Sequence, residues 1–253
     1  MYKKIPQIFE WMKKIYIKVV KYILNFFDFF YQKKIINFLK DKLNQKQIIF
    51  FDVGSHFGES VDLFVKYFKI KEFHCFEASP KNFDILKNRL KNSSYKHVCN
   101  LNNFGIGHKN YKTFINQTQE SSSSTINNLN LKSDYFLRKL KVLNISDINS
   151  YIQRIPVEII SLDYYIKKND IKIIDILKID TEGFELEVLK GLKENFHIVN
   201  FVYFEHHYDN MIVKNYTFSD IHDLLNKAGF IKRFRINMPF RKSFEYIYQN
   251  SKS

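Results

Sequence analysis

Glycine is scarce in this 253-residue chain, which has seven, and the chain holds only four prolines, two cysteines and one tryptophan. Cys75 and Cys99 have no metal-ligand spacing and both sit beside apolar residues. That excludes a disulfide framework and predicts buried free thiols in a reducing, cytoplasmic compartment. Long apolar runs are also missing. Stretches such as Tyr22 to Phe27 fall far below the roughly 20 residues a membrane-spanning helix needs, so neither a transmembrane helix nor a secretory leader is expected.

What is abundant is aromatic and positive: 26 Phe, 16 Tyr and a net charge of +14. The charge suits nucleic acid or an acidic membrane. It suits equally a Lys/Asn/Ile-rich bias spread over the whole surface. The length accommodates one large α/β domain plus an appendage. The sequence divides at residue 45. Before it, Ile8, Met12, Ile15, Val19, Ile23, Phe26 and Phe30 share one side of a helical wheel, with Lys13, Lys14, Lys18 and Lys21 opposite. Ten lysines against three acids give 10 − 3 = +7 in residues 1–45. Such a segment can lie on an anionic membrane or dock on the domain formed by residues 46–253; docking is the favoured reading.

The domain is organised around residues 47–77. Ile48 to Phe51 has a buried strand's length and ends at Asp52-Val53-Gly54. After Gly58, Val61, Phe64, Val65 and Phe68 recur on one helical face, and a second apolar run closes on Glu77. Strand, glycine turn, helix and strand with a terminal acid make the nucleotide half-site of a doubly wound sheet. The spacing D-x-G-x-x-x-G lacks the middle glycine that a dinucleotide's pyrophosphate requires. S-adenosylmethionine fits better, with Gly54 and Gly58 allowing close backbone approach and Glu77 taking both ribose hydroxyls. NAD, or a helix merely packed on a sheet, are the alternatives.

Further along, Ser79-Pro80 starts a helix. A third strand is expected over Leu101 to Gly107, whose Gly105 and Ile106 would sit beside an adenine ring. Residues 117–150 are polar, with serines at 121–124, and read as a disordered loop or one folding over a substrate. Strands are expected at 157–160, 173–179, 200–205, 230–234 and 244–248, the last two antiparallel, with helices at 184–192 and 218–228. Five glycines (54, 58, 105, 107, 183) follow the predicted parallel strands, at the edge where open α/β sheets bind ligands.

Taken together, Phe51-Asp52-Val53-Gly54-Ser55-His56-Phe57-Gly58, Phe76-Glu77-Ala78-Ser79-Pro80, Leu162-Asp163 and Leu177 to Gly191 resemble the FkbM family of S-adenosylmethionine-dependent methyltransferases. The most specific block is Lys178-Ile179-Asp180-Thr181-Glu182-Gly183 with its following E-x-x-V-L-x-G. Phe104-Gly105-Ile106-Gly107 departs from the family, which usually has alanine before the Ile-Gly. The resemblance covers about residues 48–235. It implies a class I methyltransferase (Rossmann-like) fold and O-methylation of a hydroxyl on a sugar, glycolipid or secondary metabolite. It carries Asp52, Gly54, Gly58 and Glu77 as cofactor contacts, and Ser55, His56, Gly105, Ile106 and Asp180 are expected beside them at the same strand ends. Asp180 and Glu182 become the acidic pair facing the methyl group.

A sugar hydroxyl is a poor nucleophile at neutral pH, so a general base is expected. Asp180, His206 and His207 are the candidates, and His56 a weaker one; Asp180 could instead cap the helix that follows. Asp180, Glu182 and Glu205 could alternatively hold one Mg²⁺, which is not favoured. A nucleic-acid methyltransferase is disfavoured, since the strand expected at 173–179 ends in Asp180-Thr181-Glu182-Gly183 rather than D/N-P-P-aromatic, and two acids would repel phosphates. A non-catalytic binding module at a membrane surface is the other competing reading. The sequence gives neither the acceptor nor the oligomeric state.

Overall fold

The computed structural model describes residues 30–43, 46–145, 147–237 and 242–252. The apolar stripe expected over residues 8–26 lies outside them. Residues 30–43 form helix α1, whose Ile35, Ile36, Leu39 and Leu43 are buried, while Phe30 is exposed. These four pack with Ile48, Phe50, Val61 and Phe64 in one core cluster, so this part of the N-terminal segment docks on the sheet. Each such buried aliphatic side chain contributes about 1.5–3 kcal/mol.

The chain then alternates strand and helix: β1 (Gln47–Val53), α2 (Glu59–Tyr67), β2 (Lys69–Phe76), α3 (Pro80–Lys91) and β3 (Cys99–Asn102). Ser79 caps α3, accepting from the Asn82 amide, with Pro80 at the first helical position. Next come β4 (Gly105–Ile106), β5 (Tyr111–Thr118), α4 (Asp134–Leu143), α5 (Ile148–Tyr151), β6 (Ile152–Ile160) and α6 (Leu162–Lys168). The chain closes with β7 (Ile174–Ile179), α7 (Glu185–Lys190), β8 (Val199–His207), α8 (Phe218–Lys227), β9 (Phe230–Asn237) and β10 (Ser243–Asn250).

Seven strands form the main sheet, ordered β3-β2-β1-β7-β8-β10-β9. The first five are parallel, and β10 runs antiparallel to both β8 and β9. This is the expected mostly parallel α/β sheet with an antiparallel terminal pair. Side chains alternate across it. Phe50, Ile176, Phe201 and Ile247 face α1, α2 and α3, while Phe51, Leu177, Val202 and Phe204 face α6, α7 and α8.

Two expectations need correcting. The strand expected over Leu101 to Gly107 is broken: β3 pairs with β2, but β4 leaves the main sheet and pairs with β6. Residues 117–150 are not one loop. A second sheet, ordered β4-β6-β5, occupies residues 105–160, and α4 buries Phe136 and Leu140 against Tyr151, Met211 and Ile212. The serines at 121–124 form the turn beyond β5, tied back where Thr125 and Asn116 exchange backbone hydrogen bonds.

Candidate active site

β1 and β7 end side by side, and the chain turns sharply at both ends. Gly54 has φ +87°, and a Cβ there would lie 1.9 Å from the carbonyl oxygen of Asp180. Glycine is therefore dictated by the abutting strands themselves. The Asp180 amide donates to the Val53 carbonyl at 2.9 Å, locking the two turns together. Beyond them opens a cleft of about 390 Å³ at the carboxyl edge of the sheet. That size suits a drug-sized ligand.

One wall of this cleft carries Glu77. Its carboxylate is buried and accepts from the His56 and Ser79 amides, both at 2.8 Å. Burial pushes its pKa up to about 7 against the pull of those two bonds. The Asn82 side chain adds a third hydrogen bond; a carboxylate offers about four acceptor positions. Ser55, His56, Gly54, Gly105 and Ile106 line the same end. Ser55 donates to the Asp52 carbonyl at 2.7 Å and accepts from the Phe76 amide, holding β1 to β2. The His56 ring bonds Ser121 at 2.6 Å, which draws the serine turn over the cleft.

Asp52 and Gly58 lie behind this wall rather than on it. The Asp52 side chain is fully buried beside the Lys178 ammonium at 3.4 Å. Burial raises its pKa, and Lys178 opposes the shift. A Cβ on Gly58 would meet Leu86 Cδ1 at 2.7 Å, so this glycine lets α2 pack on α3.

The opposite wall is acidic. Asp180, Glu182, Glu205 and Glu245 line it with Lys178 and Tyr203. Lys178 sits 3.1 Å from Asp180 as well as close to Asp52. Burial alone would lower its pKa, but Asp180 and Asp52 outweigh that and raise it. Burial lifts Glu182 to about 8, with His207 pulling it down and Asp180 and Glu205 pushing it further up. Burial likewise lifts Glu245 to about 8, reinforced by Glu205. Phe184, not Asp180, stands at the N-cap position of α7, and its side chain makes no capping bond. Glu185 instead ties the turn before the helix, accepting from the Thr181 and Gly183 amides at 3.4 and 2.9 Å.

Strand alternation separates the two histidines. His206 points to the opposite face of the sheet, edge-on or tilted against the rings of Tyr208, Tyr216 and Phe218, and does not line the cleft. Burial lowers its pKa to about 3. His207 stands 3.5 Å from Glu182, 3.7 Å from Glu205 and 3.6 Å from Asp209. Burial works against its charge, but those carboxylates raise its pKa to about 10. His207 is therefore a cation supporting the acidic wall. Among the described residues no three His, Cys, Asp or Glu side chains converge as a metal-ligand set, and Glu182 and Glu205 flank His207 instead. Nor is any helix among them long and apolar enough to cross a membrane.

Sequence reasoning missed Lys178 as a site residue, together with Tyr203 and Glu245. Glu245 reaches the cleft only because β10 returns antiparallel and pairs it with Glu205. For Lys178 a signal was present: a lysine inside an otherwise apolar strand is buried only when it is paired.

The family model described as Methyltransferase FkbM domain matches residues 52–232. No curated protein matches the chain. Among solved structures, the methyltransferase FkbM from Methylobacillus flagellatus KT is 15% identical with a TM-score of 0.49. The alignment covers 80% of this chain and 44% of that one, so the chain spans less than half its length. The METTL16 methyltransferase domain is 9% identical with a TM-score of 0.50, covering 85% of this chain and 65% of that one, a likeness of fold alone.

Proposed function

Because the chain belongs to the family of FkbM methyltransferase domains, we propose that it uses S-adenosylmethionine to methylate a hydroxyl oxygen of a sugar, glycolipid or secondary metabolite. One observation carries this reading: a single cleft has a buried carboxylate, Glu77, on one wall and the Lys178-paired Asp180 on the other. The residues present fit the cofactor. Glu77 would take the ribose hydroxyls, Gly105 and Ile106 would flank the adenine, and the Gly54 to His56 turn would face the amino-acid part.

The cofactor supplies a methyl group on a positively charged sulfur, which leaves with the bonding electron pair. The protein's tasks are to bind, to align and to take the proton. Holding the acceptor oxygen in line can lower the barrier by several kcal/mol through effective concentration alone. Asp180 would orient the acceptor hydroxyl and take its proton as the new C–O bond forms, with Lys178 fixing the carboxylate's direction. Such a base is worth about 10²–10⁴-fold. Glu182 is a further carboxylate of the same wall. His207 is already protonated near neutral pH and supports Glu182 rather than accepting a proton.

Calorimetry with S-adenosylmethionine, followed by a screen of lysate glycans and lipids for labelled methyl acceptance, tests the proposal. Micromolar-range binding and a labelled glycan or lipid are expected. Absence of binding would sink the reading and favour a non-catalytic module.

A further inference from the structure

We propose that a second cleft, at the amino edge of the main sheet, binds a phosphate-bearing anion. This cleft, about 280 Å³ in volume, lies between α1, the end of α2 and the start of β2. Its position is set by Lys46 just before β1 and Lys69 at the first residue of β2. Those are the amino ends of parallel strands, opposite the edge that carries Asp180 and Glu77.

Among the described residues its lining holds four lysines, Lys40, Lys46, Lys66 and Lys69, and no acid. Lys46 pairs with the buried Asp175 at 2.7 Å. The other three make no ion pair among the described residues. Two of them are gathered by Tyr67: the ammonium groups of Lys66 and Lys40 lie 5.4 and 5.9 Å from its ring centre. An aromatic face attracts both cations and so holds them near each other despite their repulsion.

Charge counting decides what could enter. α1 and α2 both end at this cleft, and a helix C-terminus is equivalent to about half a negative charge. Two such ends and Asp175 offset roughly two of the four lysines, leaving about +2. A phosphate monoester carries about −1.5 to −2 at pH 7 and three acceptor oxygens. Three exposed ammonium groups around a concave floor formed by Leu43, Tyr67 and Phe68 match that charge and valence. The phosphate could belong to a diffusible small molecule or to an anionic lipid headgroup, since both present the same chemistry.

The full chain is titrated with inorganic phosphate by calorimetry and sedimented with phosphatidylglycerol or phosphatidylcholine vesicles, beside the variant Lys66→Gln/Lys69→Gln. Both lysines are exposed and remote from the active cleft, so an unchanged melting temperature checks the fold. At about fivefold per lysine, the variant should bind roughly 25-fold more weakly. Phosphate binding without vesicle binding identifies a diffusible ligand. Binding to phosphatidylglycerol alone, lost in the variant, identifies a headgroup. Two results overturn the proposal: a wild-type chain that binds neither probe, or a variant that binds as well as wild type.

Discussion

Gly54 and Asp180 meet backbone to backbone: a Cβ on the glycine would sit 1.9 Å from the aspartate's carbonyl oxygen. The turn expected to hold the cofactor and the residue expected to act on the acceptor are thus one rigid unit. Gly54→Ala must relieve that clash and also place alanine at φ +87°, where an L side chain costs about 1–2 kcal/mol. We expect at least ~2 kcal/mol of destabilisation, or a drop of roughly 4–8 °C in melting temperature for a chain this size. A melting temperature within a degree of wild type would show that β1 and β7 are free to separate.

Glu77→Ala should weaken S-adenosylmethionine binding by roughly 1.5–3 kcal/mol, the worth of a hydrogen bond to a charged partner. The same carboxylate holds the His56 and Ser79 amides, so the substitution leaves two donors without it. Affinity and melting temperature should therefore fall together. Calorimetry on the variant decides the matter, and an unchanged dissociation constant would refute the ribose assignment.

The sheet's core was readable from the sequence because β1, β2, β7 and β8 are short apolar runs stopped by glycine or by acids. What stayed hidden depends on contacts distant in sequence. β5 reads as a polar stretch because only three of its eight residues are buried, two of them polar. The second sheet exists only through its pairing with β6, and Glu245 reaches the site only through its pairing with Glu205. The separation of His206 from His207 was legible, since neighbouring strand residues point to opposite faces.

Stability should fall as the pH rises from mildly acidic to alkaline. Glu182 and Glu245 have folded pKa values of about 8 and Glu77 about 7, all above the ordinary glutamate value of 4.5. Between about pH 4.5 and 8 the folded chain therefore binds more protons than the unfolded one, and raising the pH costs stability. His207 acts with the same sign: its contribution is complete below 6.5 and is lost as the pH passes about 10. Melting temperatures at pH 5.5 and 8.5 check this, with the lower pH expected to give the higher value. Glu245→Gln should flatten the slope. A rising trend would mean these acids are ionised and well paired in the folded state.

Removing the Lys178 ammonium should leave Asp52 and Asp180 facing each other without their shared cation. Lys178→Met is expected to cost about 3–5 kcal/mol, the penalty of stranding a buried charge. Adding Asp52→Asn should recover part of the loss, because the stranded charge is then gone. Denaturant unfolding of the single and double variants measures the coupling. Strict additivity of the two effects would show that the lysine does not serve Asp52.

Asp180 carries the sharpest expectation. It follows a fully buried strand, lines the cleft and sits 3.1 Å from Lys178, while the N-cap position of α7 belongs to Phe184. Asparagine keeps the shape and can still accept from Lys178, but it cannot take a proton from an acceptor hydroxyl. Asp180→Asn should therefore leave S-adenosylmethionine affinity within about threefold and cut turnover by ~10²-fold or more. Turnover is read as methyl transfer to the acceptor found by labelling, beside calorimetry on the same protein. Near-normal turnover would remove Asp180 from the chemistry and move the proton to another carboxylate of the same wall, Glu182, Glu205 or Glu245. Neither histidine would inherit the role, because His206 faces away and His207 is already charged.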